Sequence, residues 1–480
     1  MGFATGGYVP EKNLILAGLG PHARRIYYPL LEKYAARYGL RLPLLIDVRS
    51  QEASVRRYLE GRSLQPESLY FVEDSDRQQN FLPLSILPTL HDLMHSRKLD
   101  GIIVSTEPQA HKAYVLWAIQ NSIDVLLDKP VTAPPRVSND VRAARQVYED
   151  YLEMEALLRE SHSNVIIQAQ RRGHNGYLCI KEYLTEFVRQ FGIPLSYVDL
   201  YHADGMWAMP DELFERENHP YKYGYGKLMH SGYHFIDLFA WLTDVNALIA
   251  SKEPDSIDIT VRRFTPYDFL QQVDAADYQR LFKTDRFAPF FTPEKLEAAR
   301  SFGEQDVYIL CQLKRGDRVV TTASINLQQN SFSRRSWEQP APDTYKGNGR
   351  VRHERVNLQV GNLLNIQAHS YQAYEVGKQD VETTGAGTED HFELHVYRNS
   401  GLVGGVPLEK IDIGETMREL HAGEAHYLGH NERARESLFL DFLERRAGSS
   451  HFSSHRRTVR LLAAVYEAIA NNQPRLILEL

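Results

Sequence analysis

Cysteine is nearly absent from this chain: Cys179 and Cys311 are the only two in 480 residues. Two cysteines so far apart cannot build a disulfide framework or a cysteine zinc cluster, and a reducing compartment is expected. Long apolar runs are missing too, and nothing approaches the roughly 20 residues of a membrane-spanning helix. The opening MGFATGGYVP lacks the basic stretch and apolar core of a secretory signal. Gly6 stands where a myristoylation motif wants Ser or Thr. A soluble cytoplasmic protein without a membrane partner is the expectation. Nor is there an excess of basic residues. Lys and Arg total 55 against 62 Asp and Glu, a formal charge of -7, which argues against a nucleic-acid partner. Internal repeats, low-complexity tracts and coiled-coil heptads are likewise lacking.

What is present is globular: 43% apolar and 24% charged residues exclude wholesale disorder. A chain of this length exceeds what one core usually needs, so two or three domains are expected. In the first part, short apolar runs at Leu14–Ala17, Leu42–Ile46, Ile102–Val104, Val125–Leu127 and Val165–Ile167 alternate with helical patterns. The helical stretches are residues 21–38, His111–Gln120 and about Val137–Arg159, whereas 50–98 read as polar and irregular with a helix at Pro88–Ser96. Alternation of this kind predicts an α/β fold, a parallel sheet covered on both faces. Past Gln170 the pattern changes. A helix near Tyr177–Gln190 precedes alternating runs at Ser196–Tyr201, Val307–Leu313 and Val319–Leu327, which suit a mostly antiparallel sheet. Helices over about Arg433–Arg446 and His455–Ala470 close the chain. We therefore expect a Rossmann dinucleotide-binding domain at residues 1–172 and an α+β domain at 173–480 built on one large mixed sheet. Residues 330–350 read as a loop or insertion and the least ordered stretch.

The first chemical signal is Gly18-Leu19-Gly20-Pro21-His22-Ala23, placed after a strand and before a helix. The first glycine permits a tight turn and the second leaves the backbone uncrowded. A small third residue lets the helix pack closely, with its N-terminus facing a pyrophosphate. Asp47, ending the second strand, is placed to accept from a ribose 2′-hydroxyl, which favours NAD; it could also simply end a strand. Arg49 could instead meet a 2′-phosphate, leaving NADP possible.

Further pieces follow in order: Ser105-Thr106-Glu107-Pro108-Gln109-Ala110-His111, then Asp128-Lys129-Pro130. Much later comes Gly226-Lys227-Leu228-Met229-His230-Ser231-Gly232-Tyr233-His234-Phe235-Ile236-Asp237. This order resembles the Gfo/Idh/MocA family of glucose-fructose oxidoreductase and inositol dehydrogenase relatives. The resemblance is specific at residues 14–134 and 226–241. It implies an NAD(P)-dependent oxidoreductase acting on CH–OH groups of a sugar, cyclitol or sugar derivative, assembled as a homodimer or homotetramer. By the same resemblance Gly18, Gly20, Pro21, His22, Ala23, Arg24, Asp47, Arg49, Thr106, Pro108 and Lys129 hold the cofactor. Lys129 also reaches the substrate hydroxyl, and His234 takes its proton. Asp128 stands for the family's usual glutamate.

One departure matters. The family's aspartate four residues before the histidine is His230 here, which removes a fixed negative charge. Either His230 relays protons itself, or the substrate carries the missing charge, or dehydrogenase chemistry is lost or altered. Asp237, three residues after His234, could share its helix face and orient the ring. His230 and His234 also form H-x-x-x-H, a spacing that can hold a metal, but no third ligand is obvious beyond Asp237 or His219, and no metal is expected. Trp207 and Tyr225 belong to an aromatic and polar stretch that could bind a sugar-like ligand or form an interface. Arg172 could meet a carboxylate or phosphate bidentately, or cap a sheet edge. Two rival functions stay open: an NAD-retaining hydrolase or lyase working by transient oxidation, and a non-catalytic nucleotide-binding sensor or scaffold.

Overall fold

A computed structural model of the chain describes residues 11–77, 80–339, 349–373, 391–420, 430–473 and 475–480. They fall into two compact units that interleave along the chain. The first takes Met1–Thr132, Glu149–Ala169 and Arg435–His455, and the second takes Ala133–Tyr148, Gln170–Ala434 and Arg456–Leu480.

The first unit is built on six strands: β1 (Lys12–Ala17), β2 (Leu40–Val48), β3 (Ser68–Val72), β4 (Gly101–Val104), β5 (Asp124–Leu127) and β6 (Val165–Ile167). All pair in parallel, in the order β3-β2-β1-β4-β5-β6. This is the doubly wound order, with the strand sequence reversing between β1 and β4. Strands β4, β5 and β6 are buried along their whole length and, apart from Asp124 at the start of β5, carry only apolar residues or glycine, as a sheet covered on both faces requires. The helix Tyr27–Tyr38 buries Leu30, Leu31 and Tyr34 against this sheet. Near the other end of the sequence, Leu438, Phe439, Phe442 and Leu443 join the same core from the helix His430–Leu443.

One expectation is corrected. Residues 50–87 are not wholly irregular: they contain the helix Glu52–Leu59 and the edge strand β3. Only Phe71 and Val72 of that strand are buried, so its five residues carry too little alternation to stand out.

The second unit holds a nine-stranded sheet. Its members are β7 (Leu195–Met206), β8 (Ser256–Phe264), β9 (Asp306–Arg315), β10 (Arg318–Asn330), β11 (Val351–Val360), β12 (Leu364–Ala373), β13 (His391–Arg398), β14 (Leu408–Asp412) and β15 (Arg475–Glu479). The order is β14-β13-β12-β11-β7-β10-β9-β8-β15, antiparallel except for β7 beside β10. The expected mixed, mostly antiparallel sheet is therefore present. Along β9, Val307, Ile309, Cys311 and Leu313 are buried while Tyr308 and Leu310 point outward. The helices Tyr233–Thr243 and Arg456–Ala470 pack on this sheet and supply much of the core. Of the stretch expected to be least ordered, 340–348 lie outside the described residues. Within 331–339, Arg335 is buried and bonded to Glu212 and to the Trp207 carbonyl.

Candidate active site

In the first unit the chain leaves β1 through the glycine turn. Gly18 has φ +90°, and a Cβ there would lie 2.4 Å from the Ser105 carbonyl oxygen, so both conformation and close approach demand glycine. At Gly20 a Cβ would meet nothing within 4 Å. That open space above the start of the helix is what a pyrophosphate needs. Ala23 is fully buried and lets the helix approach the sheet. Asp47 stands where β2 ends beside this turn. Its Oδ2 accepts from the Leu19 N–H at 2.8 Å and its Oδ1 from the Val48 N–H at 2.7 Å. Burial raises the Asp47 pKa, while these bonds and Arg24 oppose the shift. Arg24 itself donates to the Leu19 carbonyl and to Ser54. Arg49 is engaged elsewhere, donating to Glu52 at 2.9 Å and to Glu73 at 3.2 Å. The residues present thus fit a dinucleotide.

The loops after β4 and β5 converge on the same edge. His111 is fully buried, with Nδ1 2.8 Å from the Pro130 carbonyl and Nε2 3.3 Å from that of Thr106. It ties the Thr106–Pro108 loop to the Asp128–Pro130 loop, and burial lowers its pKa to about 4. Asp128 accepts from Ser105 at 2.6 Å and from the Tyr27 hydroxyl, with His22 Nε2 3.6 Å away. Its pKa is raised by burial against the pull of Ser105, Tyr27, Lys129 and Arg435. His22 is held well below the ordinary imidazole value by burial and by Arg435, Arg25 and Lys129. Three cations therefore act together beside the glycine turn, a field that suits a pyrophosphate. Arg435 was not anticipated, because it comes from a helix 306 residues after Lys129 with no local motif.

In the second unit the histidine motif opens with a π-helical turn, Leu228–Gly232, running into the helix Tyr233–Thr243. The Gly232 N–H donates to the Lys227 carbonyl five residues back at 2.7 Å. A Cβ at Gly232 would lie 2.6 Å from that same oxygen, so the turn depends on glycine. Such turns often mark functional sites. The first amides are held by Glu304, whose carbonyl takes the Lys227 N–H and whose Oε1 takes the Leu228 N–H at 2.9 Å. His230 and His234 are both buried. Rings surround His230, with centroids at 4.8 Å for His219, 5.6 Å for Tyr221 and 6.0 Å for Tyr225. His219 adopts φ +58°, a left-handed conformation uncommon outside glycine. Asp237 is fully buried and accepts from Arg172 (2.6–3.1 Å) and from Thr458 at 2.8 Å. The carboxylate that Arg172 grips bidentately is thus the protein's own. The Trp207 indole donates to Tyr278 at 3.2 Å and packs edge-on to Phe282, within an aromatic cluster that includes Tyr221.

Beneath the π turn lies a charged network. Lys227, fully buried, contacts Asp204 Oδ2 at 2.6 Å, His202 Nδ1 at 2.9 Å and the Gln328 carbonyl at 3.0 Å. Asp204 also accepts from Ser231 at 2.6 Å and from Arg350. Burial lowers Lys227 to about 8, partly offset by Asp204. For Asp204, burial is outweighed by Lys227, His202 and Arg350, which hold its carboxyl well below the usual range. Lys227 was quoted within the motif but not singled out. A lysine directly after the motif's opening glycine, among mostly apolar and aromatic neighbours, was the only local signal. Among the described residues no three His, Cys, Asp or Glu side chains converge as metal ligands.

Comparison with known proteins agrees with this geometry. The sequence model described as "Oxidoreductase family, NAD-binding Rossmann fold" (GFO_IDH_MocA) matches residues 72–162. The putative oxidoreductase YteT of Bacillus subtilis (strain 168) is 24% identical over 234 residues, 48% of this chain and 46% of that protein, so the chain spans about half the length of this relative. Among solved structures, the aldose-aldose oxidoreductase of Caulobacter crescentus, complexed with glycerol, superposes with a TM-score of 0.54 at 14% identity, covering 98% of this chain and all of that one. The WlbA dehydrogenase of Bordetella pertussis, in complex with NADH and UDP-GlcNAcA, gives 0.55 at 12% identity, covering 98% of each. The resemblance read from the motifs is borne out over residues 72–162, which match the NAD-binding Rossmann model of the Gfo/Idh/MocA oxidoreductase family.

Proposed function

We propose that the protein is an NAD-dependent dehydrogenase acting on a CH–OH group of a sugar, cyclitol or sugar derivative. The observation that carries the cofactor half is Asp47 beside the glycine turn, hydrogen-bonded to Leu19. The preference for NAD over NADP rests on the surrounding charge. Asp47, Glu52, Glu73 and Asp74 cluster around the end of β2, and Arg49 is already engaged by Glu52 and Glu73. A 2′-phosphate would meet carboxylates there rather than a free cation.

The nicotinamide, when bound, is the partner for hydride. In the first unit, Lys129 supplies a cation and hydrogen-bond donors for the cofactor ribose. In the second, His234 receives the hydroxyl proton, a task that suits imidazole because its ordinary pKa lies near neutrality. The sugar-like substrate is supported by the family resemblance, by the aldose-acting structural neighbour, and by the aromatic rings around His230.

The test is product analysis with NAD and a panel of sugars, sugar acids and cyclitols. We expect NADH at 340 nm in step with substrate loss. His234→Ala should lower kcat at least a hundredfold while NAD affinity stays within about twofold, because the histidine works in the transition state. Substrate turnover without net NADH would favour redox cycling, and NAD binding without turnover on any substrate would favour a sensor.

A further inference from the structure

We propose that the substrate carries an oxyanion, a carboxylate or a phosphate, which Arg216 binds beside His230. The inference rests on the sugar-like substrate proposed above and narrows its class.

Arg216 follows the short helix Pro210–Glu215 and is half-buried. Its guanidinium makes no hydrogen bond or ion pair with any described residue. Three residues after Arg216, His219 sets its ring 4.8 Å from that of His230, and Tyr221, whose ring His230 also meets, acts on the guanidinium together with Asp204 and Glu212. Burial pulls the Arg216 pKa below its ordinary value, the direction expected for a crowded cation without a close partner.

The two carboxylates that act on Arg216, Asp204 and Glu212, are already engaged. Asp204 serves Lys227, Ser231 and Arg350. Glu212 serves Arg335 at 2.8 and 3.0 Å. Glu217 serves Lys222 and Tyr223. A half-buried guanidinium that no side chain occupies is open to a ligand, and its planar fork suits carboxylate or phosphate bidentately. The second observation is independent: at position 230, where the family pattern places aspartate, stands a histidine. A neutral sugar would tolerate a carboxylate there; an anionic one would be repelled by it. His219 and Tyr225 complete the wall around the His230 ring.

The test is isothermal titration of the full chain with D-glucuronate, D-glucose 6-phosphate and D-glucose, with and without NAD. The wild type should bind at least one anionic sugar about tenfold or more tightly than D-glucose, and the tighter of the two identifies carboxylate or phosphate. Arg216→Gln should lose about tenfold or more for that sugar and nothing for NAD. His230→Asp should weaken the anionic sugar more than D-glucose. Melting curves confirm that both variants fold. No advantage of either anionic sugar in the wild type overturns the proposal, as does equal affinity in wild type and Arg216→Gln. Failure of the wild type to bind NAD counts instead against the dehydrogenase reading, so the two outcomes are distinct.

Discussion

His202 has two ring nitrogens and faces a donor at each. Arg352 Nε points at Nε2 from 3.1 Å, and Lys227 Nζ lies 2.9 Å from Nδ1. A neutral imidazole accepts at only one nitrogen. Arginine cannot surrender its proton, so both bonds form together only when Lys227 is a neutral amine accepting from Nδ1–H. Its folded pKa of about 8 brings that state within reach, with Asp204, Asp306, Arg350 and His202 as the charged or titratable groups facing it. Since an unfolded lysine titrates near 10.4, the unfolded chain binds more protons between those values. Stability should therefore rise with pH in this window, by up to about 1.4 kcal/mol per pH unit for one proton. Lys227→Met removes the group. Calorimetric stability of wild type minus Lys227→Met should grow from pH 8 to 10, and a flat or falling difference would show an ordinary paired ammonium.

At the level of elements, the sheets divide by how openly they declare themselves. Strands β4, β5 and β6 hold short apolar runs (Ile102–Val104, Val125–Leu127, Val165–Ile167) and were legible in the sequence, as was the helix His111–Gln120. Strand β11 was not, although Val356, Leu358 and Val360 alternate. Its first half is Arg352, His353, Glu354 and Arg355, and the charge facing inward is Glu354, satisfied by Arg171 and by Tyr177 at 3.0 Å. A buried ion pair hides a strand from any hydrophobic pattern. The outward face of the nine-stranded sheet has its own consequence. Tyr308 is 39% and Leu310 61% exposed on β9, and broad sheet faces with apolar side chains generally find cover. We expect a second copy of the chain to supply it. Light scattering at micromolar concentration should return a dimer or tetramer, and Leu310→Lys should shift the mass toward monomer; a wild-type monomer would contradict this.

For the whole molecule, what the sequence disclosed was order along the chain: the glycine turn, Asp47, the two loops and the histidine motif. Contacts between distant segments were hidden, because nothing local marks them. That Phe439 and Phe442 complete the first core, that Arg435 bears on His22 and that Arg172 is spent on Asp237 are all such contacts. Arg216 escaped for a different reason: its interest lies in the partners it lacks among the described residues, and no spacing rule reveals that. The central claim is that the Gly18–Ala23 turn with Asp47 holds NAD. Its most direct test is titration of the wild type and Asp47→Ala with NAD and NADP. Loss of a charge-assisted ribose bond should weaken NAD by about 1.5–3 kcal/mol, while NADP should lose less or gain as repulsion of its 2′-phosphate disappears. Equal losses for both cofactors, or no NAD binding by the wild type, would contradict it.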